Sequence, residues 1–392
     1  MERQTLHTEM KEHLTQVLLP FWKKWIDEEN GGYYGYVDTR LRADKGAEKG
    51  CILNSRILWF FSSAYLALGE ESLRKYADHA WRFLRDCCID RERGGVFWSV
   101  DCKGRPLDTT KHTYNQAFAV YALSSYYKAF GEEQALRTAE GIFRLIETGC
   151  KDAYGYQEAQ TRDFEPAGND KLSENGVTAD RTMNTLLHLL EAYTEFYRVS
   201  RSGEAAARIR EILDRVAEKV YNPVLGRQEV FFDRDMNSLI DLHSYGHDIE
   251  AAWLIDRGTD VLGDEDCRRK MGPITLRLAQ RVYEAAYDGQ SVANECERGK
   301  VDQRRIWWVE AEAVVGFYNA WQRSPEKTYF REAAEAVWRF IRNHLAAPEE
   351  GSEWFWCTDR DGNPMRELPL VEPWKCPYHN GRMCMEIMKR TE

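Results

Sequence analysis

Apolar residues return every three to four positions in about twelve separate stretches of this chain, and that recurrence restricts the fold more than any other feature. The helices it predicts run over 4–19, 52–68, 71–88, 112–130, 132–148, 178–199, 203–220, 246–263, 266–286, 303–322, 326–345 and 377–390. They make six pairs. After several of the second helices come short aromatic segments with glycine at 30–38, 93–101, 154–158 and 353–359, each read as a strand or hairpin leg. The pattern Gly-Gly-x-x-x-x-Val-Asp starts at Gly31 and again at Gly94, 63 residues later, which marks an internal repeat of a helix pair plus hairpin. Repeated helix pairs either extend as an open solenoid or close into a ring. Aromatic hairpins favour closure, because a closed ring gathers them at one end as the walls of a pocket. The expected fold is all-α: an (α/α)6 barrel of about twelve helices, with short β-hairpins walling the active-site end, and residues 1–392 as a single domain.

With 392 residues and 43% hydrophobic content the chain can bury a large core, and no composition shift marks a boundary. The net charge of −10, with no basic stretch interleaved by aromatics, argues against a nucleic-acid partner. No run approaches the roughly 18 apolar residues of a membrane helix, and Met1–His7 has no apolar signal core, so no membrane association and a cytoplasmic location are expected. Ten cysteines occur without any C-x-x-C pair, and Cys87 and Cys88 are adjacent; free thiols in a reducing compartment account for them.

The residues that carry chemistry cluster at helix starts. In Ser244-Tyr245-Gly246-His247-Asp248-Ile249-Glu250, a histidine and a carboxylate three apart share one helix face, with Gly246 read as a loop residue before the helix. The plain alternative is a helix-start pair with only a capping role. His379 lies in a similar setting, five residues after Trp374. His188 sits with Asn184 and Glu191 on a polar stripe of an otherwise apolar helix, and such a stripe needs partners; a satisfied core histidine is the plain reading. Arg56 is a lone arginine on an apolar helix, which either pairs structurally or faces a ligand oxygen. Of Trp307 and Trp308, one can stack on a sugar while the other fills the core, with Glu312 one turn beyond Trp308. Trp374 is a second stacking candidate, and Tyr114, at a helix start, can donate a hydrogen bond into the mouth of a barrel. An imidazole takes and returns a proton near neutral pH without a large shift, so two histidines facing one substrate suggest proton shuttling.

Other chemistries fit less well. His243 and His247 have metal-compatible spacing but no evident third ligand, and H-E-x-x-H is absent, so no metal is expected. Residues 359–363 resemble the start of a calcium loop without its closing glutamate and read as a hairpin turn. Neither G-x-G-x-x-G, nor a phosphate-cradling loop, nor a G-x-S-x-G elbow is present, so no nucleotide cofactor is implied.

Three motifs in order, Ser244–Leu254, Arg305–Glu312 and Pro377–Arg382, resemble the N-acylglucosamine 2-epimerase superfamily along the whole chain. The Tyr-Gly-His-Asp-Ile-Glu form is similar to its cellobiose branch, where N-acylglucosamine enzymes tend to carry Pro-Gly-His. The resemblance implies an (α/α)6 barrel without metal or nucleotide cofactor. It implies reversible C2 epimerisation of the reducing-end glucose in β-1,4-linked disaccharides such as cellobiose, lactose or mannobiose, and a monomer or weak dimer. By the same implication His247 takes the C2 proton, and His379 opens the ring and is the opposite acid/base. Arg56 and His188 stabilise the enediolate oxygens, and Glu250 orients and polarises its histidine neighbour. Trp253, Trp308 and Glu312 shape the sugar site, Tyr114 and Asn184 contact hydroxyls, and Trp374 stacks the second sugar. Glu310 departs from the glutamine expected in close relatives.

Elementary chemistry asks for the same groups. A proton next to a carbonyl is removable only after the sugar ring opens, and the enediolate then needs cationic or hydrogen-bonding groups at its oxygens. Three rival readings stand beside this one: a mannose 2-epimerase or aldose-ketose isomerase on monosaccharides, an inverting glycosidase, and a non-catalytic helical-repeat binding module.

Overall fold

The computed structural model describes residues 3–172 and 175–392. The chain alternates outer and inner rods. The first outer rod is α1 (Arg3–His13), a π-type turn at Leu14–Leu18, and α2 (Leu19–Lys24). Then come α3 (Cys51–Leu68, inner), α4 (Arg74–Phe83, outer), α5 (Thr113–Phe130, inner), α6 (Glu133–Gly149, outer), α7 (Met183–Ser200, inner) and α8 (Gly203–Arg215, outer). The last five are α9 (Tyr245–Leu262, inner), α10 (Glu265–Ala285, outer), α11 (Trp307–Arg323, inner), α12 (Thr328–Phe340, outer) and α13 (Tyr378–Thr391, inner). Each inner helix packs on the next, and α13 returns to α3, so the ring is closed: the fold is an (α/α)6 barrel. The two kinds of rod differ as their surroundings demand. Every residue of α3 from Cys51 to Ser62 is buried, whereas α6 buries only a stripe through Ala135, Ala139, Ile142 and Ile146. Contrary to the expectation from sequence, α3 is long and apolar enough to cross a membrane, and its burial inside the barrel makes it a core helix here.

Helix boundaries follow local chemistry. α3, α5 and α9 stop at Gly69, Gly131 and Gly263, each with positive φ, where a Cβ would be strained. The helix expected over 178–199 starts only at Met183 and that over 303–322 only at Trp307, because Arg181–Thr182 and Arg305–Ile306 are strands. Conversely, the first expected rod, 4–19, runs on to Lys24.

Two-residue strands stitch neighbouring units together at the N-terminal end of the inner helices. Lys49–Gly50 pairs with Ser99–Val100, Lys111–His112 with Ala159–Gln160, Arg181–Thr182 with Phe231–Phe232, and Arg305–Ile306 with Cys357–Thr358. A bridge between Val37 and Val371 closes this circuit.

Inside five of the six units an ion pair whose cation is buried ties the head of the inner helix to the outer hairpin. Lys49 pairs with Asp27 (2.6 Å), Lys111 with Asp90 (3.1 Å), Arg181 with Asp152 (2.8 Å), Arg305 with Asp288 (2.7 Å) and Lys375 with Glu353 (2.8 Å). Five residues beyond these cations, Asn54 Oδ1, Gln116 Oε1 and Glu310 Oε1 accept backbone N–H groups of Tyr33, Val96 and Val292. The fourth unit differs. Asn222 takes the acid's place in the hairpin, and His243, where the cation would be, turns to Asp248 on its own helix (2.8 Å). The cation positions 49, 111, 181, 243, 305 and 375 are spaced by 62 or 70 residues, a sixfold register underlying the Gly-Gly echo.

Candidate active site

Seven residues beyond the head of each unit lie Arg56, Phe118, His188, Glu250, Glu312 and Arg382, so the sixfold register turns one sequence position into a ring across the barrel axis. The Arg56 guanidinium lies 4.1 Å from the centre of the Phe118 ring, and Phe118 lies 4.9 Å from the His188 ring. His188 Nε2 is 3.9 Å from Glu250 Oε1. Arg382 donates to Glu250 and, at 2.7 Å, to Glu312. Tyr378 closes the circle, with Arg56 4.9 Å and Arg382 4.2 Å from its ring centre.

Above this ring a cavity of about 300 Å³ opens among the inner-helix N-termini, whose dipoles present positive potential to whatever binds there. Arg56, Tyr114, Asn184, His188, His247, Glu250, Trp308, Trp374 and His379 all line it. Asn184 Oδ1 is buried without a partner among the described residues, an acceptor left for a ligand.

The two helix-start histidines both pack against Trp308, with ring centres 4.8 Å (His247) and 5.5 Å (His379) from the indole. Each has Nδ1 engaged by the protein: His379 by Glu312 Oε1 at 2.7 Å, His247 by Ser244 Oγ at 2.7 Å. Among the described residues, neither Nε2 has a protein partner. An ionised Glu312 accepts the Nδ1 proton of His379, which leaves the Nε2 lone pair free to act as a base. Burial and the neighbouring His188 push the His247 imidazole down to about 3, and burial with Arg382 and Arg56 holds His379 well below its ordinary value. Both rings are therefore neutral near pH 7, the state a base requires. Gly246 makes this arrangement fit. It lies inside α9 rather than in the expected loop, and a Cβ there would meet the Trp308 ring at 2.5 Å.

Arg56 is a cation without a counter-ion. It is 2% exposed, donates to Tyr114 Oη (2.7 Å) and touches Cys376 Sγ (3.7 Å), and no carboxylate among the described residues pairs with it. A buried cation kept this way favours an anion arriving in the cavity. On the far side of the ring the balance is reversed: Glu191, Glu250 and Glu312 all converge on Arg382.

Three site residues stand elsewhere than the sequence suggested. Glu250 shares the His247 face of α9, yet its hydrogen bond goes to Arg382 and not to His247. Glu312 and Trp253 do not line the cavity; they form a layer beneath it, where the Trp253 indole donates to Glu312 Oε2 at 2.9 Å. Arg382, Tyr378 and Ser244 were not picked out. The signal was available for Arg382, which stands seven residues after Lys375 as Arg56 does after Lys49. At the mouth, Leu172, Asn294, Arg304 and Trp356 add lining, and Asn175 donates to Glu295 (3.1 Å) and Glu297 (3.2 Å), tying its loop to a hairpin. Of these, only Trp356 falls in an aromatic segment that the sequence assigned to the pocket wall.

Comparison with known proteins agrees with this architecture. Residues 32–380 match the family described as N-acylglucosamine 2-epimerase (GlcNAc 2-epimerase). A cellobiose 2-epimerase of Eubacterium cellulosolvens is 50% identical over 392 residues, covering 96% of each chain. A cellobiose 2-epimerase of Ruminococcus albus is 48% identical over 383 residues, covering 98% of each. Among solved structures, a sugar epimerase from a ruminal bacterium superposes with a TM-score of 0.96 at 47% identity, covering 98% of each chain.

Proposed function

The chain belongs to the N-acylglucosamine 2-epimerase family, and on that premise we propose that it inverts C2 of the reducing-end glucose of β-1,4-linked disaccharides such as cellobiose and lactose. The observation that carries this reading is the pair of neutral histidines that both pack against Trp308 at the cavity, each with Nδ1 engaged and Nε2 unpartnered, beside a cation that has no counter-ion. Inversion at a carbon next to a carbonyl needs those parts. His379 opens the sugar ring by proton transfer, which exposes the aldehyde and makes the C2 proton acidic. His247 takes that proton; the electrons move into a cis-enediolate, and Arg56 with His188 holds its oxygens. A proton taken up from water at His379 Nε2 is then delivered to the opposite face of C2, which gives the mannose configuration, while His247 releases the C2 proton to water; the reverse sequence restores glucose. Trp308 and Trp374 offer apolar surfaces to sugar rings, and Tyr114 and Asn184 offer hydrogen bonds to hydroxyls. The whole chain acts as one catalytic domain, and its ten free thiols suit the cytoplasm.

Incubation with cellobiose in D₂O in the presence of a chelator, followed by proton NMR, tests the reading. Glucosyl-mannose deuterated at C2, formed by the wild type and lost in H247A, is the expected result. Release of free glucose, or turnover of mannose with none of cellobiose, overturns it.

A further inference from the structure

Two carboxylates of the ring and Glu191 beside it share one guanidinium, and their donors are unequally divided. Glu191 receives Arg382, Tyr378 and His188. Glu312 receives Arg382, His379 and the indole of Trp253. Glu250 receives only Arg382, on Oε1; its Oε2 is buried without a partner among the described residues, and the residue lines the cavity. A carboxylate accepts at both oxygens, so an ionised Glu250 would hold a buried, unsatisfied anionic oxygen next to two other acids. A carboxylic acid at the same place has a hydroxyl to donate instead.

We propose that Glu250 is a neutral carboxylic acid in the free protein at neutral pH and that its Oε2 hydroxyl is a hydrogen-bond donor turned to the cavity, for a sugar oxygen that gains negative charge. This rests on the proposed epimerase reading for the identity of that oxygen, while the protonation itself does not.

Every charged or titratable group facing Glu250 bears on it. From α7 come His188 and Glu191, from α11 Glu312, from α13 Tyr378, His379 and Arg382, from α3 Arg56, from α5 Tyr114, and from α9 itself His247. Burial, then Glu312, push the Glu250 carboxyl up, and Arg382 only partly offsets them, leaving it at about 8. Two oxygens of Glu250 and Glu312 with a nitrogen of His379 lie within 4.8 Å of one another, a set that a divalent cation could use. The Arg382 guanidinium already donates to both acids, and filling the set with a second cation would leave Arg56 and Arg382 crowded by a third positive charge.

Infrared spectra of the full-length wild type and of E250Q, each with carboxyl-labelled glutamate and titrated from pH 6 to pH 10, test the proposal. Glu310 and Glu158 are also buried acids held up, at about 8 and about 7, so the wild-type band is compared with the variant's. The expected result is a label-sensitive protonated-carboxyl component at pH 7 that disappears in alkali and is missing from E250Q. Identical protonated-carboxyl bands in the two proteins overturn the proposal. If E250Q does not fold, E250D replaces it, and a shifted rather than unchanged band is the supporting result. On cellobiose, the wild type loses kcat/KM above about pH 8, and E250Q lacks that alkaline limb; a limb unchanged in E250Q counts against the proposal. An enzyme that shows the infrared component but no epimerase activity would keep the protonation and discard the assigned reaction.

Discussion

The clamps and the ring belong to the same units, the clamp cation standing just before each inner helix and the ring residue seven positions later, yet they treat charge in opposite ways. In the clamp layer every cation has an acid: Lys49 has Asp27, Arg305 has Asp288, Lys375 has Glu353. In the ring, Arg56 has no acid and Arg382 has three. Paired charges fix geometry and are silent toward a ligand. Unequal ones leave a potential difference across the cavity, with a bare cation on one side and surplus acid on the other. The fourth unit shows the two demands meeting: it gives up the interhelix clamp, and His243 with Asp248 braces the turn that carries His247.

The two histidines repeat the contrast on a smaller scale. A carboxylate fixes the tautomer of His379, whereas the Ser244 hydroxyl beside His247 can accept or donate. His247 is thus free to present Nε2 with or without a proton, as a reversible reaction asks of it.

Substitutions can break this comparison. The largest effect is expected from Arg382→Met, which strands three buried acids: a loss of about 3–5 kcal/mol in unfolding free energy together with loss of epimerase turnover. Unfolding at the wild-type denaturant midpoint would show that the ring is not one electrostatic unit. Next, His247→Ala and His379→Ala should each lower kcat by roughly 10²–10⁴ while the thermal transition stays in place. Lys49→Met should do the converse, costing about 3–5 kcal/mol in denaturant titration by leaving the buried Asp27 without its cation, with kcat little changed in the folded fraction. A catalytic collapse in that variant would erase the distinction between the layers. Glu310→Gln is the smallest test. Burial pushes this carboxyl to about 8, so the folded state holds a proton that the unfolded chain releases near its ordinary value. Its stabilising share is complete at acid pH and lost as pH rises toward 8, by up to ~1.4 kcal/mol per pH unit. The variant's stability should therefore fall less than the wild type's between pH 5 and pH 8 in denaturant titrations.

Much of the barrel was legible because its cause is local. A helix buried on all sides must be apolar on all sides, and one facing water on one side must alternate, so inner and outer rods announce themselves in 52–68 and 132–148. Helix starts were less sharp, since strands such as Arg181–Thr182 carry the same buried residue types as the helices that follow. His247, His379, Arg56 and His188 stood out because polar groups on buried helices need partners. The partners themselves did not. Glu250 looked like the companion of His247 from its spacing of three, and only the return of α13 against α3 and α11 shows that Arg382 claims it.

The sequence by itself determined the number of rods, their grouping in six pairs and the echo of one repeat in the next. These follow from periodicity, which is a property of neighbours along the chain. Which acid is satisfied, which cation is bare and which histidine nitrogen faces the cavity were decided by the tertiary structure alone. The reason is that hydrogen bonding and desolvation depend on what closes in from elsewhere: Arg382 reaches Glu191 from 191 positions away and Glu250 from 132, distances at which no local pattern carries information.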